Sequence, residues 1–530
     1  MAVAATVLVG LSLRLIGAGW GAPYGYHYDE PFIMKPALQI VASGDPNPHF
    51  FNYPSAMIYA ETAIVAAHHR FGRMDLLVPR GPGYGPVDLG EWTWPALLDG
   101  RRLVAVLGAL GVLASAWLAF TTAGAAAAVV AAAVLATVPL HVEHGHYLTT
   151  DVPMATWTTL ALAVAAGRAT RAWRYVLAGA LLGLAVATKY TAAFALPALL
   201  AVIALASRGS HRAVIRNVAL AALAVGLAFA VVCPFVWLDW SSFTADLAVV
   251  RSHYAGGHLG AEGSANWGWY LRRLHQTGSG TSGIALLAGG CLAAALSPLM
   301  GRHAGSDGEA TGEADDDRRR ADLVALVVTL LALAWFAWLG SVTVRFERNL
   351  LPAIALAAAA CGHGVARTAS RLGRTSPAAA VATYAVVVAA LLTPAYGSVQ
   401  TARRFAGTDT RAAALAWIDA NVRPGSAIAR EEFTPRPDPQ RYGMSYMWSL
   451  GSHEPQWFEA RGIDYLIASH LVWGRILGDP QQRDPAAVRR YRQLFAGERV
   501  ATFAADENMT GPMISIYGLR PEADDRDAGR

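Results

Sequence analysis

Apolar residues arrive in this chain in blocks of 14 to 20 with almost no charge inside them, and polar runs separate the blocks. Each block matches the roughly 20 residues a helix needs to cross a bilayer. Membrane helices are therefore predicted at about 2–20, 103–121, 123–140, 152–167, 175–188, 190–207, 217–236, 282–300, 323–341, 350–366 and 377–395, eleven in all. The stretch 54–68 is apolar but short and contains Glu61, so it is expected to lie along the membrane interface. The first block does not read as a signal peptide, because Arg14 interrupts it and no basic region precedes it.

Arginine sets the expected orientation. Three Arg occupy each of the segments 168–174, 208–216 and 367–374, and four occupy 301–321. Eleven spans with a cytoplasmic N-terminus put all four inside, as the positive-inside rule requires. The same parity puts 21–102, 141–151, 237–281, 342–349 and the tail outside. The 301–321 loop is mixed in charge and rich in Gly, and is expected to be disordered. In the tail the pattern changes: Ala414–Val422 has helical spacing, whereas Ile463–Ser469, Arg499–Ala504 and Met513–Leu519 are rich in β-branched and aromatic residues. The expected fold class is an all-α polytopic membrane bundle over 1–397, with about eleven transmembrane helices plus interfacial helices. A small extracytoplasmic α/β domain over 398–530 follows it. The expected location is the cell membrane, multi-pass.

Composition narrows the class further. Of 530 residues 54% are hydrophobic and 15% charged, against roughly 25% charged in an ordinary soluble domain. Intrinsic disorder, a collagen-like fibre and a disulfide-stapled secreted fold are excluded. Lys and Arg total 43, with only Lys35 and Lys189 as lysine, a bias that reads as the coding preference of a GC-rich bacterial genome. The net charge of +5 calls for no nucleic-acid partner. Cys233, Cys291 and Cys361 all lie in apolar blocks and read as small core residues.

Candidate chemistry gathers in the outer segments. Asp29 and Glu30 follow the first block among Tyr24, Tyr26, Tyr28 and Phe32, and Pro31 can start a helix directly after them. A carboxylate beside the bilayer among aromatic rings is partly desolvated, which raises its basicity. The plainer readings are a solvated pair, or Asp29 as a helix cap. The segment HVEHGHYLTTDVP supplies His141, His144, His146 and Asp151, and capping again rivals function for Asp151. The third outer segment adds Asp239, Arg251, His253 and His258. Lys189 stands alone where two short helices meet. Arg345 and Arg348 lie in an outer linker against the positive-inside trend, which points to an anionic partner such as a lipid phosphate. An internal pair with Glu347 or another carboxylate is the alternative for Arg348. Glu30, His146, His253 and His258 are the residues that could hold a divalent cation, on a weak pattern.

In their order along the chain, HYDEP, GDPNPHFFNYPS (Gly44–Ser55), HGHYLTTDVP, GLAVATKYTA, CPFVWLD and RFERNLLP resemble the GT-C superfamily of membrane glycosyltransferases. The likeness is to the family-39-like group of protein O-mannosyltransferases and lipid A aminoarabinose transferases, and it covers roughly residues 1–400. The resemblance implies a hexosyl- or pentosyltransferase. Such an enzyme moves a sugar, with inversion, from a polyprenyl-phosphate carrier to a protein, lipid or glycan acceptor on the outer face. It implies Asp29 as catalytic carboxylate with Glu30 beside it, and Asp151 as a second acidic position. Lys189, Arg345, Arg348 and Arg251 would bind the donor phosphate, and metal dependence differs among members. The chemistry fits these residue types: a phosphate leaving group needs cations, and an acceptor hydroxyl needs a carboxylate to take its proton. The competing classes are a secondary transporter and a non-catalytic glycolipid-binding membrane protein. A transporter would place its ionisable residues near the bilayer midplane, often in repeated halves, and no repeat is visible here.

Overall fold

The structure, a computed structural model, describes residues 1–75, 91–167, 171–207, 210–257, 260, 263, 265–300, 312–479, 481, 483–506 and 508–519. These residues fall into two compact units. The first comprises the described residues of Met1–Ala18, Asp29–Gly256 and Gly263–Ala402, the second those of Gly19–Tyr28, Gly257–Glu262 and Arg403–Arg530. The break thus follows Ala402 rather than 397, and two loop segments join the tail.

The first unit is helical, and the apolar blocks read from the sequence lie largely on helix, the helix of the first block ending at Leu15 rather than at 20. Among the described residues six helices are long and apolar enough to cross a membrane: Trp94–Ala136, His211–Val232, Trp267–Met300, Glu313–Ser341, Glu347–Thr375 and Pro377–Ala406. Ala2–Leu15, Trp173–Thr188 and Tyr190–Ala206 are shorter apolar helices. Blocks 103–121 and 123–140 form one run broken at Gly124, where φ is 80° and ψ −164°, a conformation glycine adopts without strain. One expectation is corrected. Residues 312–321 belong to helix Gly312–Ser341, because Asp315–Asp317 stand three and four residues before Arg318–Arg320, the spacing at which helical side chains pair. Residues 301–311 lie outside the described residues.

Small residues bring these helices together. Leu351–Thr375 packs against Trp94–Ala136 and Gly280–Met300. A Cβ added at Gly362 would lie 2.3 Å from the Ala127 carbonyl oxygen, and one at Gly364 2.1 Å from that of Gly290. Gly179 and Gly183 seat Trp173–Thr188 on His211–Val232 in the same way, with added Cβ atoms 2.3 and 2.5 Å from the Ala221 and Val225 oxygens. Their four-residue spacing is the close-packing motif of membrane helices. Pro377–Ala406 instead turns Val381, Val386, Val388 and Leu392 outward, an apolar face of the kind a bilayer covers.

The second unit is α/β. Its strands are β1 (Thr408–Asp409), β2 (Ala427–Arg430), β3 (Gly443–Tyr446), β4 (Tyr465–Ser469), β5 (Glu498–Phe503), β6 (Met509–Thr510) and β7 (Ile514–Gly518). Five form one sheet in the order β3-β2-β4-β7-β5, with β2 parallel to β3 and β4 and β7 antiparallel to β4 and β5. Alternation along the strands feeds two cores. Leu466 and Ala468 pack with Phe458 and Tyr491 on one face, while Ile467 packs with Ala414 and Ile418 of helix Thr410–Asn421 on the other. Buried Arg411 forms two 2.8 Å bonds with Asp409 and donates to the Tyr26 carbonyl at 3.2 Å, tying the Gly19–Tyr28 segment into this unit.

Candidate active site

Four chain segments converge in the first unit. Asp29 precedes helix Pro31–Ser43, whose cap residue, Glu30, makes no side-chain cap bond. The Asp29 carboxylate faces the Arg348 guanidinium at 3.3 Å and accepts a long 3.4 Å bond from the Tyr53 hydroxyl. Asp151 opens helix Asp151–Ala166, whose cap residue is Thr150, again with no side-chain cap bond. Its carboxylate lies 2.5 Å from Lys189 Nζ and 3.8 Å from Arg348 Nε.

The cations are placed by breaks in their helices. Lys189 is extended, with φ −153° and ψ 125°, between helix Trp173–Thr188 and the turn Tyr190–Ala195. Arg348 sits in the short 3₁₀ turn Glu347–Leu350 that leads into helix Leu351–Thr375. Asn349 beside it accepts from Lys189 at 3.1 Å, while its backbone carbonyl accepts from Trp335 at 3.0 Å. Asp29, Arg348, Asp151 and Lys189 thus form one chain of alternating charges, with side chains at most 12% exposed.

Other residues singled out from the sequence lie elsewhere. Glu30 is fully buried in a two-bond pair with Arg101, at 2.7 and 2.8 Å, and accepts from the Leu148 amide at 3.1 Å. Arg345 reaches Asn266 at 3.4 Å and lies over the Trp269 ring. Arg251 is exposed on helix Trp240–Gly256. Glu347 pairs with Arg273 at 3.0 Å, which leaves Arg348 to Asp29 and Asp151. Of the residues named for a metal, Glu30 and His146 are engaged within the protein. Glu30 is held by Arg101, and the two ring nitrogens of His146 lie 2.8 and 2.9 Å from the Val142 and Ile16 carbonyl oxygens. His253 falls on helix Trp240–Gly256 with its side chain outside the described residues, as is all of His258. Among the described residues no group of three or more His, Cys, Asp or Glu could hold a metal ion.

Two members of the site, and the partner of Glu30, were missed by sequence reasoning. Tyr53 lies within the GDPNPHFFNYPS motif and Asn349 next to Arg348, so proximity to noticed residues was the available signal. Arg101 carried none, since the Arg101-Arg102 pair before an apolar block reads as membrane-boundary charge.

The helical bundle with its α/β tail defines the class: the chain has the fold of the GT-C membrane glycosyltransferases. ArnT from Cupriavidus metallidurans bound to undecaprenyl phosphate shares it at 17% identity, over 97% of each chain, with a TM-score of 0.51. The apo state of the same protein gives 16%, 97% of each chain and 0.52. The archaeal oligosaccharyltransferase AglB from Archaeoglobus fulgidus, in complex with an inhibitory peptide and a dolichol-phosphate, gives 12%, 92% of this chain, 71% of that chain and 0.50. Within the fold, residues 97–238 match the dolichyl-phosphate-mannose-protein mannosyltransferase family. That stretch includes Asp151 and Lys189. A sequence comparison with curated proteins finds no match.

Proposed function

We propose that this chain is a membrane glycosyltransferase that moves a sugar from a polyprenyl-phosphate carrier to an acceptor hydroxyl at the outer face, with inversion. The observation that carries this reading is the buried chain Asp29–Arg348–Asp151–Lys189. Two cations beside two buried carboxylates supply what the reaction needs. Arg348 and Lys189 are charge-assisted donors for the departing phosphate, and Asp29 is the proton acceptor. The acceptor oxygen bonds to the anomeric carbon as that carbon's bond to the phosphate oxygen breaks. The electron pair leaves with the polyprenyl phosphate, and the hydroxyl proton passes to Asp29. Asp151 holds Lys189 and Arg348 in place. The dolichyl-phosphate-mannose family match over 97–238 and the GT-C fold support the reading. The buried pairing of Glu30 with Arg101 supports a positioning role for Glu30.

The test is a deletion strain whose cell-envelope glycans, read by mass spectrometry, have lost one sugar. The parent gene should restore it and Asp29→Asn should not. Asn keeps the size and much of the hydrogen bonding but takes no proton, so transfer should fall by about 10²–10⁴. Transfer above about a tenth of the parent rate would move the base to Asp151. A deletion strain with unaltered glycans would sink the transferase reading itself.

A further inference from the structure

The segment HVEHGHY carries three histidines; His146 is bonded through both ring nitrogens and His141 through one, its Nε2 being buried without a partner. His141 Nδ1 lies 2.9 Å from the Arg14 guanidinium, and His146 faces two backbone carbonyls. His144, the last residue of the short helix Pro139–His144, is different. It is 3% exposed, yet neither ring nitrogen has a hydrogen-bond partner among the described residues. Tyr147 stands edge-on to the ring at 5.5 Å and makes no hydrogen bond to it. The charged groups within electrostatic reach of His144 are Glu347, Asp151, Arg348 and Asp29. Three of these four belong to the charge chain of the site.

An imidazole buried with both nitrogens unmet has given up water without a replacement partner, so folded proteins seldom leave one so. We propose that His144 reads the sugar: its two ring nitrogens hydrogen-bond hydroxyl groups of the saccharide carried by the polyprenyl phosphate, and so help set which sugar is accepted. The chemistry separates sugar from phosphate. Burial holds the ring neutral, with its pKa pushed down to about 4, and a neutral imidazole has one donor and one acceptor nitrogen. Sugar hydroxyls both donate and accept, and satisfy the two together. An ionised phosphate only accepts, and would leave the bare nitrogen unmet. This inference rests on the transferase reading.

The test uses the full chain purified in detergent, with thermal unfolding followed as ligand is titrated. The probes are undecaprenyl phosphate alone and a panel of undecaprenyl-phosphate-linked hexoses and pentoses. In the parent, undecaprenyl phosphate should stabilise, and at least one sugar-bearing member should bind more tightly. His144→Phe should keep the response to undecaprenyl phosphate and bind that member roughly ten- to a hundredfold more weakly, the loss expected for two neutral hydrogen bonds. Ligand-free His144→Phe should unfold no earlier than the parent, because the variant removes two unmet polar atoms. Should it fold poorly, His144→Asn serves, with a large share of the sugar-dependent gain lost and the phosphate response kept. A sugar-dependent gain that survives in the variant, or none in the parent for any sugar, overturns the role of His144. A parent indifferent to undecaprenyl phosphate overturns the transferase reading instead.

Discussion

Asp29 and Glu30 are neighbours in the chain, yet their carboxylates meet different cations, Arg348 for Asp29 and Arg101 for Glu30. Both side chains of the Glu30–Arg101 pair are fully buried. Removing one partner of such a pair strands the other charge, at a cost of about 3–5 kcal/mol. Glu30→Gln should therefore reduce the yield of monodisperse protein on size exclusion and lower its unfolding midpoint. Its rate per folded molecule should fall less than that of Asp29→Asn. A Glu30→Gln protein as stable as the parent would remove the positioning role. Lys189→Met acts differently, because Arg348 remains 3.8 Å from Asp151 to offset its charge. That variant should fold and bind undecaprenyl phosphate about ten- to a hundredfold more weakly, since a charge-assisted bond to a buried anion is worth roughly 1.5–3 kcal/mol. Unchanged affinity in a ligand titration would release Lys189 from the donor site.

Elements meet here where side chains are smallest. A side chain at Gly183 would drive into the Val225 carbonyl, and overpacking of this kind costs about 1–3 kcal/mol. Gly183→Leu should lower the unfolding midpoint, while Gly226→Ala, where an added Cβ meets nothing within 4 Å, should leave it unchanged. Equal midpoints for both would remove the packing role. In the tail, the fully buried Glu431 follows strand β2 and accepts from the Leu450 and Ser469 amides and the Tyr491 hydroxyl. Burial, against the pull of those bonds, holds its carboxyl up to about 8, whereas an unfolded Glu titrates near ~4.3. Between the two values the unfolded chain has released a proton that the folded one keeps. The contribution of Glu431 to stability is thus fully present below about pH 4.3 and is lost, by up to ~1.4 kcal/mol per pH unit, until about pH 8. Pulse proteolysis of the tail in urea from pH 5 to 8 should show that slope in the parent, and Glu431→Gln should flatten it at a constant cost. The helices were legible because hydropathy acts through runs of many residues. Strands β2 and β3, AIAR and GMSY, were not legible, since four residues flanked by polar chain give too short an alternation. Of the site, Asp29, Asp151, Lys189 and Arg348 were legible as residue types in outer segments. That Asp151 meets Lys189 while Arg345 turns to Asn266 depends on helix rotation, which no linear pattern encodes.

For the molecule as a whole, one helix carries the argument about sidedness. Pro377–Ala406 is long and apolar enough to cross a bilayer, and only 11% of its most apolar stretch is buried in the protein. The remainder needs lipid, because so large an apolar face would otherwise stay in water. Thr375 and Ser452 flank this helix, both exposed, so a crossing places them on opposite sides of the membrane. Arginine assigns the sides. Arg367, Arg371 and Arg374 cluster just before the helix, and such clusters stay in the cytoplasm. On that rule the tail is expected outside. In a Cys291→Ser background, with Cys233 and Cys361 already buried, an impermeant maleimide on intact cells should label Ser452→Cys. It should reach Thr375→Cys only after the membrane is opened. Labelling of both without opening would deny that the helix crosses, and the reverse pattern would invert the orientation and with it the face on which transfer is proposed.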